Sequence, residues 1–179
     1  YAHRTAWQRS DFWTPTIEGL FIYEYLRDNP EHLHDPAWRE GLTPEIIADI
    51  RKSIEHPDRL SYFQLNPIRR PTLAKKFHQL RESGVVQLIG TDSGIPMKFH
   101  SSSTWRELDA WVNILGVDPM LTIRAATYWP AVAMKVEKDY GTVSEGKYAD
   151  VIAVRGDALR YIALLQRVDI VIKHGTRYK

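Results

Sequence analysis

Apolar residues recur at helical spacing through most of this chain and gather into short β-rich runs towards its C-terminal end. Two earlier stretches break the helical rhythm. Phe12-Trp13-Thr14-Pro15-Thr16-Ile17 predicts a short strand running into a turn, with Pro15 near its end, where a missing N–H costs little. Val85-Val86-Gln87-Leu88-Ile89 is a nearly continuous apolar run and predicts a strand buried on both faces, as in parallel sheets. The run stops at Gly90-Thr91-Asp92-Ser93-Gly94. Asp92 therefore stands at the C-terminal end of a buried strand, where α/β folds collect their chemistry.

Helices are predicted between and after these strands. Leu20, Tyr23 and Leu26 share one helical face, and Asn29-Pro30 stops it. Residues 30–42, with Pro30, Pro36 and Gly41, predict a loop. Thr43-Pro44 is an N-cap followed by proline at the first helical position; Ile47, Ile50 and Ile54 form a stripe behind it, closed by His56-Pro57. A second loop is expected as far as Arg70, and Pro71 opens a helix carrying Leu73, Phe77 and Leu80 that ends at Gly84. Strand, helices and strand in that order predict parallel β-α-β architecture.

Beyond the central strand, Thr104 and Glu107 have capping-box spacing, ahead of a stripe of Trp105, Leu108, Val112 and Leu115 that ends at Gly116. Asp118-Pro119 caps a further helix, which Pro130 must break or restart. Residues 141–143, 151–154 and 168–172 are β-rich runs separated by glycine turns. They predict a small β unit appended to an α/β one.

Composition narrows the function classes. With 179 residues, 44% of them hydrophobic, the chain can bury one ordinary core. A net charge of +2, without a basic run interleaved with aromatics, argues against nucleic acid as the partner. The chain has no cysteine, hence no disulfide or thiolate metal ligand. No apolar stretch approaches the ~18 residues of a membrane span. The chain opens on Tyr1 without a signal-like segment, and we expect it to derive from something longer.

Taken alone, Asp92 is either a turn and capping carboxylate or a catalytic one, and His100 is either a solvated loop histidine or a site residue. His32-Leu33-His34 has H-x-H form, but a proline-rich acidic loop makes it surface chemistry. No H-E-x-x-H spacing occurs. Ser101-Ser102-Ser103 lacks the G-x-S-x-G setting of a hydrolase nucleophile and reads as helix-start chemistry.

The order of several short motifs decides between these readings. Gly90-Thr91-Asp92-Ser93-Gly94 is followed by His100, Arg106-Glu107-Leu108 and Ala125-Ala126-Thr127; then come Gly141-Thr142-Val143, Gly146-Lys147 and Ala149-Asp150. In that order they resemble the C-terminal part of the metal-dependent amidohydrolase superfamily, closest to its imidazolonepropionase and Xaa-Pro dipeptidase group. Thr14-Pro15-Thr16 resembles the end of that family's seventh strand. The resemblance implies an α/β fold: the C-terminal portion of a (β/α)8 TIM barrel, strands seven and eight, over residues 1–138, and the C-terminal share of a composite β-sandwich over 139–179. It implies a hydrolase that cleaves a C–N bond in a small amide, cyclic amide or dipeptide through a metal-activated water. One or two divalent ions, zinc foremost, would be the cofactor. Asp92 would be metal ligand and proton shuttle, and His100 would face the substrate.

The family's other metal ligands come from earlier strands, and the portion carrying strands one to five is not in this chain. Tyr1-Ala2-His3 could close strand six, although the short spacing from His3 to Pro15 leaves little room for the intervening helix. One carboxylate, even with one histidine, cannot hold a metal that needs three or more protein ligands. We therefore expect the full-length protein to be a hydrolase and this chain alone to be inactive. The contrasting expectation is a non-catalytic remnant serving as an interaction or scaffold module. Small amide or peptide-like molecules are the expected partners, with a homo-oligomer left open.

Overall fold

The computed structural model describes residues 12–39, 41–95 and 97–179. Strand β1 (Phe12–Trp13) lies parallel to β2 (Val86–Gln87), with Phe12 opposite Val86 and Trp13 opposite Gln87. The Leu88 N–H continues the ladder to the Trp13 carbonyl at 2.9 Å. The parallel pairing follows the sequence expectation. Burial is less complete: Gln87 and Leu88 are buried, whereas Val85, Val86 and Ile89 are only half-buried. Gln87 is a polar residue inside a buried strand, and its side-chain amide is satisfied by donating to the Phe77 carbonyl at 2.8 Å.

The connection from β1 to β2 is helical almost throughout. A 3₁₀ turn (Glu18–Leu20) leads into α1 (Ile22–Asp28), followed by a second 3₁₀ turn (Pro30–His34) and the short α2 (Pro36–Arg39). The loop expected over residues 30–42 is thus largely short helical turns. Helix α3 (Pro44–Glu55) starts as predicted, with the Thr43 hydroxyl accepting the Ile46 N–H, and it buries Ile47 and Ile50.

Helix α4 (Ser61–Glu82) is one unbroken element containing both Pro67 and Pro71, which corrects the expected loop ending at Arg70. The two prolines stand one turn apart, so each removes a single i to i−4 bond while the rest of the ladder persists. Tertiary anchoring carries the helix across them. Phe63, Asn66 and Phe77 are buried, and the Asn66 amide donates to the Gly19 carbonyl at 3.0 Å.

After β2 come α5 (Ser103–Asp109), a π-helical turn (Ala110–Ile114), α6 (Pro119–Ala126) and α7 (Tyr128–Ala133). The Asp118 carboxylate caps α6 through the Leu121 N–H at 3.0 Å, and α7 restarts just before Pro130. The expected Thr104–Glu107 capping box does not form. Helix α5 begins two residues earlier than that box requires, no side chain caps it at Ser102, and Glu107 turns inward instead.

The C-terminal region holds an antiparallel sheet of β3 (Val151–Ala153), β4 (Ile170–Lys173) and β5 (Thr176–Arg177), in that order. Residues 141–143 form no strand. Gly141 has φ 88°, and a Cβ there would stand 2.8 Å from the Ala131 Cβ and 3.0 Å from the Thr127 carbonyl oxygen, so this segment is pressed against α7.

Two apolar clusters organise the chain. One packs Ile22, Tyr23 and Leu26 of α1 against Ile50, Phe63 and Met97. The other packs Ile17 and Phe77 against Trp111, Val117 and Ala125. The second reaches the C-terminal ends of β1 and β2 through Trp13 and Ile89, next to Thr14 and Gly90. A Cβ on Gly90 would lie 2.2 Å from the Thr14 Cγ2. Gly90→Ala should therefore destabilise the protein by about 1–3 kcal/mol through overpacking, read as a lowered urea midpoint at unchanged m-value. Thr14→Ser in the Gly90→Ala background should recover part of the loss.

Candidate functional site

The loop after β2 is held in an unusual backbone conformation. Asp92 has φ 52° and the buried Met97 has φ 64°, both in the left-handed region that ordinary side chains rarely adopt. Short-range bonds brace the turn. The Thr91 hydroxyl oxygen accepts from the Ser93 hydroxyl at 2.8 Å and from the Ser93 N–H at 3.3 Å. The Gly94 N–H donates to the Lys98 carbonyl at 3.0 Å, and the Lys98 N–H donates to that of Ile95 at 3.1 Å.

The Asp92 carboxylate is exposed in the loop after β2, five residues beyond the strand's last residue, Gln87. His100 is also exposed, and the loop folds back so that its Nε2 lies 3.7 Å from where a Cβ on Gly94 would stand. The two predicted site residues thus share one closed loop. Beside it opens a cavity of about 740 Å³ between this loop and α3, lined by Gly94, Met97, Phe99 and His100 on one side and Ile46 and Ile50 on the other. Asp92 is not among its lining residues.

Beneath the loop lies a cluster of charges that pattern reading missed. Glu107 is fully buried on α5. Its Oε1 accepts from the Ile17 N–H and the Trp111 indole N–H, both at 2.9 Å, and its Oε2 accepts from the Glu18 N–H at 2.7 Å. Trp111 lies in the π-helical turn directly after α5, on the same side as Glu107. One carboxylate thereby fixes the backbone just beyond β1 to the helix that follows β2. Burial pushes its pKa up to about 7, against the lowering effect of its three donors and of Lys98.

Glu18 and Lys98 are buried as well, with Lys98 Nζ 3.5 Å from Glu18 Oε2. Burial raises the Glu18 pKa, while Lys98 and Arg106 oppose the rise. The Arg106 guanidinium lies over the rings of Trp105 and Tyr25 at 5.1 and 5.5 Å, and burial lowers its pKa. The available sequence signal was the position of Glu107 on an otherwise apolar helix face.

His3 lies outside the described residues. His32 and His34 sit in the 3₁₀ turn after α1, with His32 Nε2 paired to the Tyr25 hydroxyl at 2.8 Å, in keeping with a structural surface role. Among the described residues, no group of three or more His, Cys, Asp or Glu side chains comes together to hold a metal ion. Asp92 fits one ligand of such a site, because among these residues its exposed carboxylate has no hydrogen-bond or ion-pair partner. The described residues do not complete the site. No described helix is long and apolar enough to cross a membrane.

Comparison with known proteins supplies the family of this α/β chain. Residues 39–177 match the amidohydrolase family, and the chain belongs to it. Similar solved structures include a Xaa-Pro dipeptidase with bound methionine in its active site, at 27% identity and TM-score 0.60, covering 94% of this chain and 34% of that one. A putative prolidase from Bifidobacterium longum is 23% identical with TM-score 0.61, over 94% of this chain and 35% of its own. The A. niger ochratoxinase is 24% identical with TM-score 0.58, over 94% of this chain and 32% of its own. The chain thus spans about a third of the length of these relatives. No curated protein matches it significantly. At family level these are metal-dependent hydrolases, and the family generally uses divalent metals.

Proposed function

We propose that this chain forms the strand-seven and strand-eight share of a (β/α)8 metallohydrolase that cleaves a C–N bond in a small amide, cyclic amide or dipeptide. Residues 1–138 would belong to the barrel and 139–179 to a composite β-sandwich. The observation that carries the reading is Asp92: an exposed carboxylate in the loop after β2, without a hydrogen-bond or ion-pair partner among the described residues, inside a Gly-Thr-Asp-Ser-Gly turn and within the family match. The bound divalent metal, zinc foremost, would supply a water acidic enough to ionise near neutrality.

The chain's own residues then have defined tasks. Asp92 would be one ligand of that metal, and its carboxylate would accept a proton from water and return it to the leaving nitrogen. His100 faces the substrate from the same loop. Three or more protein ligands are needed for a catalytic metal, so this chain by itself is inactive and requires the remaining barrel strands.

The test is hydrolysis of a panel of Xaa-Pro dipeptides and N-acyl amino acids by the longer protein, with and without a chelator. The reading predicts turnover that the chelator abolishes and zinc or manganese restores. Turnover insensitive to chelation, or none on any C–N bond, would favour the non-catalytic interaction or scaffold module.

A further inference from the structure

Lys98 is almost wholly enclosed, with 1% of its side chain exposed, although it sits in a loop flanked by the exposed Asp92 and His100. A lysine in a surface loop ordinarily keeps its ammonium in water. Here the side chain runs inward along Gly19, where an added Cβ would stand 3.3 Å from Nζ and 3.4 Å from Cδ. It ends 3.5 Å from Glu18 Oε2. Among the described residues neither Glu18 oxygen has a hydrogen-bond partner, so this carboxylate depends on Lys98 and the nearby Arg106 for its compensation. Glu107 is the second carboxylate facing Lys98, and its own oxygens hold the N–H groups of Ile17 and Glu18.

We infer that Lys98 is a positioning residue: its buried pairing with Glu18 latches the Asp92–His100 loop to the backbone beyond β1 and so fixes where Asp92 points. The backbone shows why a latch is needed. Asp92 and Met97 both hold left-handed conformations, and such conformations persist only where the surroundings over-determine them. The loop's internal bonds, from Gly94 N–H to Lys98 O and from Lys98 N–H to Ile95 O, close it on Lys98 itself. Tying Lys98 down therefore ties down the whole turn. The inference rests on the proposed function for its catalytic consequence but not for the latch.

The experiment compares Lys98→Met, Glu18→Gln and the double variant in the longer protein. Three readouts are followed together: amide hydrogen exchange over residues 91–103, metal retention, and kcat and KM. Lys98→Met should speed exchange in this loop selectively. It should lower kcat or metal affinity about 10–100-fold, as lost support behind a ligand does, while KM changes less than about threefold. It leaves the Glu18 carboxylate buried beside one fewer cation; the double variant removes that charge and should recover part of the loss. Wild-type exchange in the loop of Lys98→Met would overturn the latch, as would a rate loss that merely tracks a lowered melting temperature. If the wild-type protein neither binds metal nor hydrolyses amides, the proposed function fails, and the latch is still decided by the exchange data.

Discussion

Asp92→Asn in the longer protein is expected to lower kcat/KM by about 10²–10⁴-fold while leaving the melting temperature nearly unchanged. The size follows from removing a positioned proton acceptor, whose contribution is typically of that order. The small structural cost follows from the geometry. Asp92 is exposed, and among the described residues its carboxylate holds nothing else in place. Asparagine also tolerates the left-handed backbone at φ 52° better than most residues. Asp92→Ala, which loses that tolerance, should be as inactive and somewhat less stable. Steady-state kinetics and thermal melts on the three proteins separate the two effects. An Asp92→Asn variant as active as wild type would return this residue to a turn-forming role.

The second large effect is structural. Glu107→Ala leaves the N–H groups of Ile17 and Glu18 and the Trp111 indole N–H without their acceptor in a fully buried setting. An unsatisfied buried donor costs about 1–3 kcal/mol, so three of them should cost at least about 3 kcal/mol. Losses of this size are a large share of a typical domain's stability. Glu107→Gln keeps an acceptor near Oε1 but turns an amide NH₂ towards one donor, and it should cost about 1–3 kcal/mol. Urea denaturation gives both values.

Glu107 also sets a pH dependence whose sign is fixed. Its pKa rises from 4.5 to about 7 on folding, so between those values the folded chain binds a proton that the unfolded chain has released. The stabilisation is fully present below pH 4.5 and is lost as pH rises towards 7, with a slope of at most ~1.4 kcal/mol per pH unit. Glu18, raised in the same direction, adds to this trend. Urea midpoints at pH 4.5, 5.5 and 7 should fall in sequence for the wild type, and Glu107→Gln should flatten the decline. Midpoints that rise with pH over this range would contradict the assignment.

What the sequence made legible was set by how local each signal is. The parallel strand pair and the Thr43 and Asp118 caps follow from adjacent residues, and the structure contains them. Pro67 and Pro71 look like helix breakers from local propensity. The continuity of α4 depends on the burial of Phe63 and Phe77 and on the bond from Asn66 to Gly19, a partner 47 positions away. Glu107 misled in the same manner. Its spacing from Thr104 suits a capping box, but its partners Ile17 and Glu18 lie 90 and 89 positions earlier. Lys98 carried no local mark at all, because a lysine between two loop residues ordinarily points to water. Long-range polar bonds leave no periodicity, so the charge cluster under the loop became visible only once β1 and β2 were side by side.

The most direct measurement is the metal content of the longer protein, by elemental analysis after dialysis, for wild type and Asp92→Asn. One or two equivalents of a zinc-like divalent ion in the wild type, reduced in the variant, is the predicted result. Sub-stoichiometric metal in both proteins would contradict the assignment of Asp92 as a ligand and, with it, the metallohydrolase reading.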